Sequence, residues 1–140
     1  VLQAGDALSH RLDDYTHLLT ETGMSADWAA IDLNEARQML SAEYLEHKLE
    51  TELGDWSSRV HHPPYGDAVQ ERIMPLGVLF HIAAGNMDAL PAYSIVAGLL
   101  AGNINIAKLP GGDNGLSVRI IDSPLQIQPA LAEYIYIFDY

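Results

Sequence analysis

The sequence predicts an α/β fold in which N-terminal helices lead into the first part of a parallel sheet. Three observations predict it. Apolar residues recur at helical spacing up to about residue 60. Near His61 the composition shifts from charged to apolar. Residues 77–109 then read as strand, small-residue loop, helix and strand. The chain divides accordingly into a helical segment, residues 1–62, and an α/β segment, residues 63–140.

Leu8, Leu12, Tyr15 and Leu19 are spaced to share one face of a first helix, with Gly23 as its stop. Asp32 and Glu35 have the spacing of a capping box and predict a helix start there, running through Arg37, Met39 and Leu40. Ser41 suits the N-cap of another helix, with Leu45, Leu49 and Leu53 on one stripe and Gly54 at its end. His61-His62-Pro63-Pro64 reads as a linker, because proline opposes helix and favours extended backbone.

Pro75-Leu76-Gly77 bends the chain into a strand, Gly77–Ile82, whose near-continuous apolar run predicts burial on both faces. Ala83–Asp88 is a loop of small and polar residues. Pro91 opens a helix to Ala101. Gly102-Asn103 stops it, and Asn105–Leu109 forms the next strand, ended by Pro110-Gly111-Gly112. The unit is βαβ, with its two strands parallel and its crossover right-handed. A helix at 114–122 and a strand at 134–138 extend the same sheet.

The net charge of −12 excludes nucleic acid as a natural partner and opposes docking on an anionic membrane. The apolar stretch 74–109 is interrupted by His81, Asn86, Asp88, Pro91, Asn103 and Asn105, so no membrane insertion is expected. No signal peptide is visible at the N-terminus. The 140 residues contain no cysteine, which removes disulfides, thiolate metal sites and a cysteine nucleophile from this stretch and is consistent with a cytoplasmic setting. A partial sheet leaves an open edge and uncovered apolar surface, so a homo-oligomer is expected.

In an open α/β sheet, ligands sit at the carboxyl ends of the strands. Two groups lie there. Asn86, after Gly85, has an amide that can donate to a developing oxyanion; the commoner role at such a turn is for Asn86 or Asp88 to cap the following helix. Lys108, before the Gly111-Gly112 turn, can bind a nucleotide ribose or phosphate; it can equally be a solvated strand-end lysine. Neither GxGxxG nor GxxxxGK[ST] occurs. His10, Asp13, Asp14 and His17 share a helical stripe but lack a zinc-binding pattern, and no metal is expected.

The stretch PLGVLFHIAAGNMDALPAYSIVAGLLAGNINIAKLP, from Pro75 to Pro110, resembles the LuxC-like acyl-CoA reductase family of the aldehyde dehydrogenase superfamily. The strand ending in a small-residue turn with asparagine, the Ala/Leu/Gly-rich helix, the Ala101-Gly102-Asn103 turn and the strand closing on lysine carry the likeness. The N-terminal helices and PALAEYIYIFDY are similar more loosely. The resemblance implies a Rossmann-like dinucleotide-binding domain of aldehyde dehydrogenase type, of which residues 63–140 are a part. It implies reduction of fatty acyl-CoA or an acylated protein to aldehyde with NADPH, or alternatively NADH, through a thioester on a cysteine. Asn86 falls at the family's oxyanion-stabilising asparagine and Lys108 at its cofactor-binding lysine. Pro110 and Gly111 take the neighbouring cofactor-contact positions, although Leu109-Pro110-Gly111 departs from the usual Pro-Ser after that lysine. With no cysteine, the chain reads as an N-terminal fragment, inactive alone, of a longer reductase. The alternative is a non-catalytic α/β interaction module.

Overall fold

The computed structural model describes residues 1–54, 60–61, 71–72, 74–85, 89–113 and 115–138. The first leucine stripe is divided among helix α1 (Leu2–Ser9), a 3-10 turn (Leu12–Tyr15) and helix α2 (Thr16–Glu21), not carried on one helix as its spacing predicts. Local polar groups compete with the helical ladder here. Arg11 N bonds to Leu8 O and Asp14 N to Arg11 O, both three residues back. The Thr16 hydroxyl and the His17 ring donate to the carbonyls of Asp13 and Asp14. Leu8, Leu12 and Leu19 are nonetheless buried, because each short piece turns its leucine to the same core.

Helix α3 (Ala26–Leu40) starts well before Asp32 and Glu35, which lie inside it and cap nothing. The true cap is Ser25, whose Oγ accepts from Trp28 N at 3.3 Å. Ala29, Leu33, Ala36 and Leu40 form the stripe that places this start. Helix α4 (Ala42–Leu53) begins at Ser41, whose Oγ accepts from Tyr44 N, and ends at Gly54 with φ 63°, as its sequence predicts. Strands β1 (Val60–His61) and β2 (Glu71–Arg72) pair antiparallel. His61 is thus in a strand, and the rest of the expected linker, residues 62–64, lies outside the described residues.

Strand β3 (Val78–Ile82), helix α5 (Leu90–Leu100) and strand β4 (Ile104–Lys108) form the βαβ unit. The strands are parallel, with Phe80 opposite Ile106 and Ile82 opposite Lys108. Gly102, at φ 80°, turns the chain out of α5 so that Asn103 N reaches Gly98 O at 3.0 Å. Helix α6 (Leu116–Ile127) runs past the expected end at 122 and contains Pro124. The proline forfeits one ladder bond, but Leu116, Ile120, Ile121 and Pro124 form a buried face that offsets the loss. A 3-10 turn (Pro129–Tyr134) takes Tyr134 out of the last strand, β5 (Ile135–Phe138), which pairs parallel with β4.

The sheet order is β3-β4-β5. Helix α5 packs on β3 and β4, and α6 packs on α1 and α5, so the helices gather on one side. Two crossovers of one hand stepping in one direction have this result. The face under α5 carries Asn105 and Ala107, both buried. The opposite face carries Val78, Phe80, Ile82, Tyr136 and Phe138, all exposed. The both-face burial expected of β3 therefore does not occur: its pattern alternates, with Phe80 61% and Ile82 76% exposed. The core lies between sheet and helices, and one continuous buried cluster includes Leu8, Leu33, Leu40, Ile95 and Ile120. Among the described residues, no helix is long and apolar enough to cross a membrane.

Candidate functional site

The loops after β3 and β4 meet at the carboxyl edge of the sheet. Ala83 N donates to Lys108 O at 3.1 Å, and Leu109 N to Phe138 O at 3.0 Å, so the ladder runs to the last residue of each strand. Beyond it, Gly85 lies against Pro110. A Cβ at Gly85 would stand 3.2 Å from the Pro110 Cβ, tighter than ordinary contact. The close approach joins the loop that leads to Asn86 with the loop that holds Pro110 and Gly111. Asn86 itself lies outside the described residues. The structure therefore brings together Lys108, Pro110 and Gly111 and places Gly85 beside them.

Lys108 is exposed, and strand alternation puts its side chain on the uncovered face between the rows of Ile82 and Phe138. It is one of two lysines in a chain of net charge −12. It forms no ion pair with the described residues. Asp113 N bonds to Pro110 O at 3.0 Å, which closes a turn over Gly111 and Gly112. Nothing lies within 4 Å of a Cβ built on either glycine, so the turn has an open outer side. A cation beside an unobstructed glycine turn fits the ribose or phosphate of a nucleotide. The fit extends to these residues and not to the N-terminus of α6, where Asp113 accepts from the amide and hydroxyl of Ser117. That carboxylate already satisfies the helix end and would repel a phosphate.

A cavity of about 470 Å3 adjoins this turn on the helical side, lined by Leu18, Leu19, Glu21, Thr22, Gly112, Asp113 and Leu116. Its charged groups are two carboxylates, so it does not suit an anion. A second, apolar cavity of about 400 Å3 lies at the other end of α5, by Leu2, Leu49, Leu99 and Leu100.

Beneath α5 is a polar network. Gly77 N donates to Asn103 Oδ1 at 3.0 Å, Asn105 Nδ2 to Asn103 O at 2.9 Å, and His81 Nε2 lies 2.9 Å from Asn105 Oδ1. Since the asparagine amide donates elsewhere, His81 Nε2 is the donor to Oδ1. The network ties β3 to β4 from their amino ends, at Gly77 and Asn103, to His81 near the end of β3. Sequence reading assigned it no role. Two asparagines in an otherwise apolar turn and strand were its signal, because a buried amide must find partners.

The His10–His17 stripe does not assemble. His10 lies 3.9 Å from Asp6, Asp13 pairs with Arg37, and the His17 ring bonds to backbone. Among the described residues no three His, Asp or Glu side chains gather as a metal site.

No curated protein matches the chain. The family described as acyl-CoA reductase (LuxC) matches residues 3–140, so the likeness covers the helices and the sheet alike and is not confined to the β3–β4 segment. The chain belongs to the acyl-CoA reductase (LuxC) family.

Proposed function

We propose that these 140 residues are the N-terminal portion of a longer reductase that converts fatty acyl thioesters to aldehydes with NADPH, and that they supply the first part of its cofactor site. The meeting of the β3 and β4 loops beside Lys108 is the observation that supports this reading beyond family membership. In this reading residues 63–140 are part of a Rossmann-like domain of aldehyde dehydrogenase type. NADPH, or NADH in its place, supplies a hydride when bound. Lys108 holds the ribose of the cofactor, and Pro110 and Gly111 shape the turn beside it. The Asn86 amide donates to the oxygen that gains negative charge when hydride reaches the acyl carbon. The thiol that carries the acyl group comes from a cysteine outside this sequence, so the 140 residues alone are inactive. Fatty acyl-CoA or an acylated protein is the donor, and the enzyme is cytoplasmic.

The overall step balances as acyl thioester, NADPH and a proton giving aldehyde, NADP and free thiol. The test is acyl-CoA-dependent NADPH oxidation by the product of the complete gene, with aldehyde recovered in equal amount. Oxidation without aldehyde, or none, overturns the proposal. The absence of cysteine favours one second reading, a non-catalytic interaction module. A stop codon directly after Tyr140 supports that reading over the first.

A further inference from the structure

The polar network beneath α5 has no part in the reading above. Leu79 and His81 are the two residues of β3 that turn toward this helix. Leu79 meets it through apolar contact, its Cδ1 3.2 Å from where a Cβ on Gly98 would stand. Such contact is non-directional and fixes no point along a strand. His81 differs, because its Nε2 donates to Asn105 Oδ1 at 2.9 Å and a hydrogen bond weakens steeply out of line. Asn105 is itself held. It is fully buried, its Nδ2 donates to Asn103 O at 2.9 Å, and its Oδ1 fills the space that Gly98 leaves. Asn103 is tied in turn to Gly98 O through its amide and to Gly77 N through Oδ1. Among the described residues no buried side-chain polar atom lacks a partner, and a buried network satisfied in this way is rigid.

We infer that His81 is a positioning residue: through Asn105 it fixes where the loop that leads to Asn86 leaves the sheet. Two residues past His81, Ala83 N makes the closing bond of β3 to Lys108 O, and the loop begins there. The frame that anchors His81 also includes β4, which ends in Lys108. One network therefore sets the departure of the Asn86 loop against the strand that carries the lysine. The catalytic consequence rests on the function proposed above; the anchoring of β3 does not.

The test has one arm for each. In the 140-residue chain, His81→Leu keeps an apolar body and removes the donor. Hydrogen exchange at the Ala83 amide should quicken at least 10-fold relative to the Ala29 amide, which bonds to Ser25 O in α3, since a lost buried bond shifts a local equilibrium by roughly 5–150-fold. His81→Gln, whose amide nitrogen can take the place of Nε2, should restore protection. In the complete reductase, His81→Leu should lower kcat by about 10-fold or more with the KM for NADPH unchanged, because a small misplacement of a reacting group acts on turnover. His81→Gln should recover most of it. A purely structural role would lower the melting temperature and spare kcat. Ala83 exchange that tracks Ala29, a glutamine variant no better than leucine, or an intact kcat in His81→Leu would each overturn the inference. A parent reductase without acyl-CoA-dependent NADPH oxidation would overturn the proposed function instead, and the exchange arm would still decide the anchoring.

Discussion

The Asn105 side chain occupies the space that any residue larger than glycine would need at position 98. A Cβ on Gly98 would stand 1.8 Å from Asn105 Oδ1 and 2.9 Å from its Cγ. Gly98 therefore sets how closely α5 lies on β4, and Asn105, fully buried, uses the space to hold His81. Gly98→Ala should destabilise the chain by about 1–3 kcal/mol, the usual range for overpacking. Asn105→Ala should cost about 1–3 kcal/mol, because partners are left unsatisfied. The double variant should cost less than the sum, since removing the amide removes the clash. Additive urea-denaturation values would show that the two residues do not compete for one space.

Asn86→Ala in the complete reductase should lower kcat by about 10²–10³ with little change in the KM for NADPH, since an oxyanion donor acts where charge develops. Steady-state kinetics together with a melting curve separates this from loss of a helix cap, which would lower stability by about 1 kcal/mol and spare turnover.

Lys108→Ala should act on the other parameter. It should raise the KM for NADPH by the equivalent of about 1.5–3 kcal/mol, the range for a hydrogen bond to a charged group. The acyl-substrate KM should not move. An unchanged cofactor KM would remove Lys108 from the site.

Burial raises the ionisation range of Tyr93, against a smaller lowering by the Lys48 cation. Lys48 is raised as well, chiefly by its bond to Glu52. Both groups hold their protons more tightly folded than unfolded. Their contribution is complete below about pH 10, the ordinary range of both groups, and is lost as pH rises above it. Stability should fall above that pH, and Tyr93→Phe should flatten the fall. A variant with the same alkaline slope as the parent chain would refute this.

Ser41 ends α3 and caps α4, with its Oγ 3.3 Å from Tyr44 N. Ser41→Ala should cost about 1 kcal/mol and Ser41→Asp should restore most of it, as read by thermal denaturation.

The parts of the fold legible in the sequence are those specified locally. Ser41 with Leu45, Leu49 and Gly54 marks α4 because cap, stripe and stop agree. The apolar run into Ile82 and the run closing on Lys108 mark the parallel pair because turns bound both. Asp32 and Glu35 mislead because a capping box and two exposed acids in mid-helix look alike without the tertiary stripe of Ala29 and Leu33. The break in the first helix depends on hydroxyls and a ring choosing backbone carbonyls, which leucine spacing does not register. Strand β3 carries Val78, Phe80 and Ile82 on one alternating set and Leu79 and His81 on the other, so the more apolar set points away from the helix and its composition misleads about which set a helix covers. At the site, Lys108 and its glycine turn are legible from their place after a strand. The contact of Gly85 with Pro110 is not, since it depends on how two loops pack.

Lys108 stands in a row with Ile82 and Phe138 on bare apolar surface. Its ammonium is hydrated while that surface is open. A hydrocarbon cover laid over the whole row would take this water away and return nothing, a penalty of several kcal/mol for an unpaired ion. The carboxyl edge of the sheet thus discriminates by charge. It admits a body that brings a negative group to the lysine or one that stops short of it, and it rejects an apolar body that would seal it in.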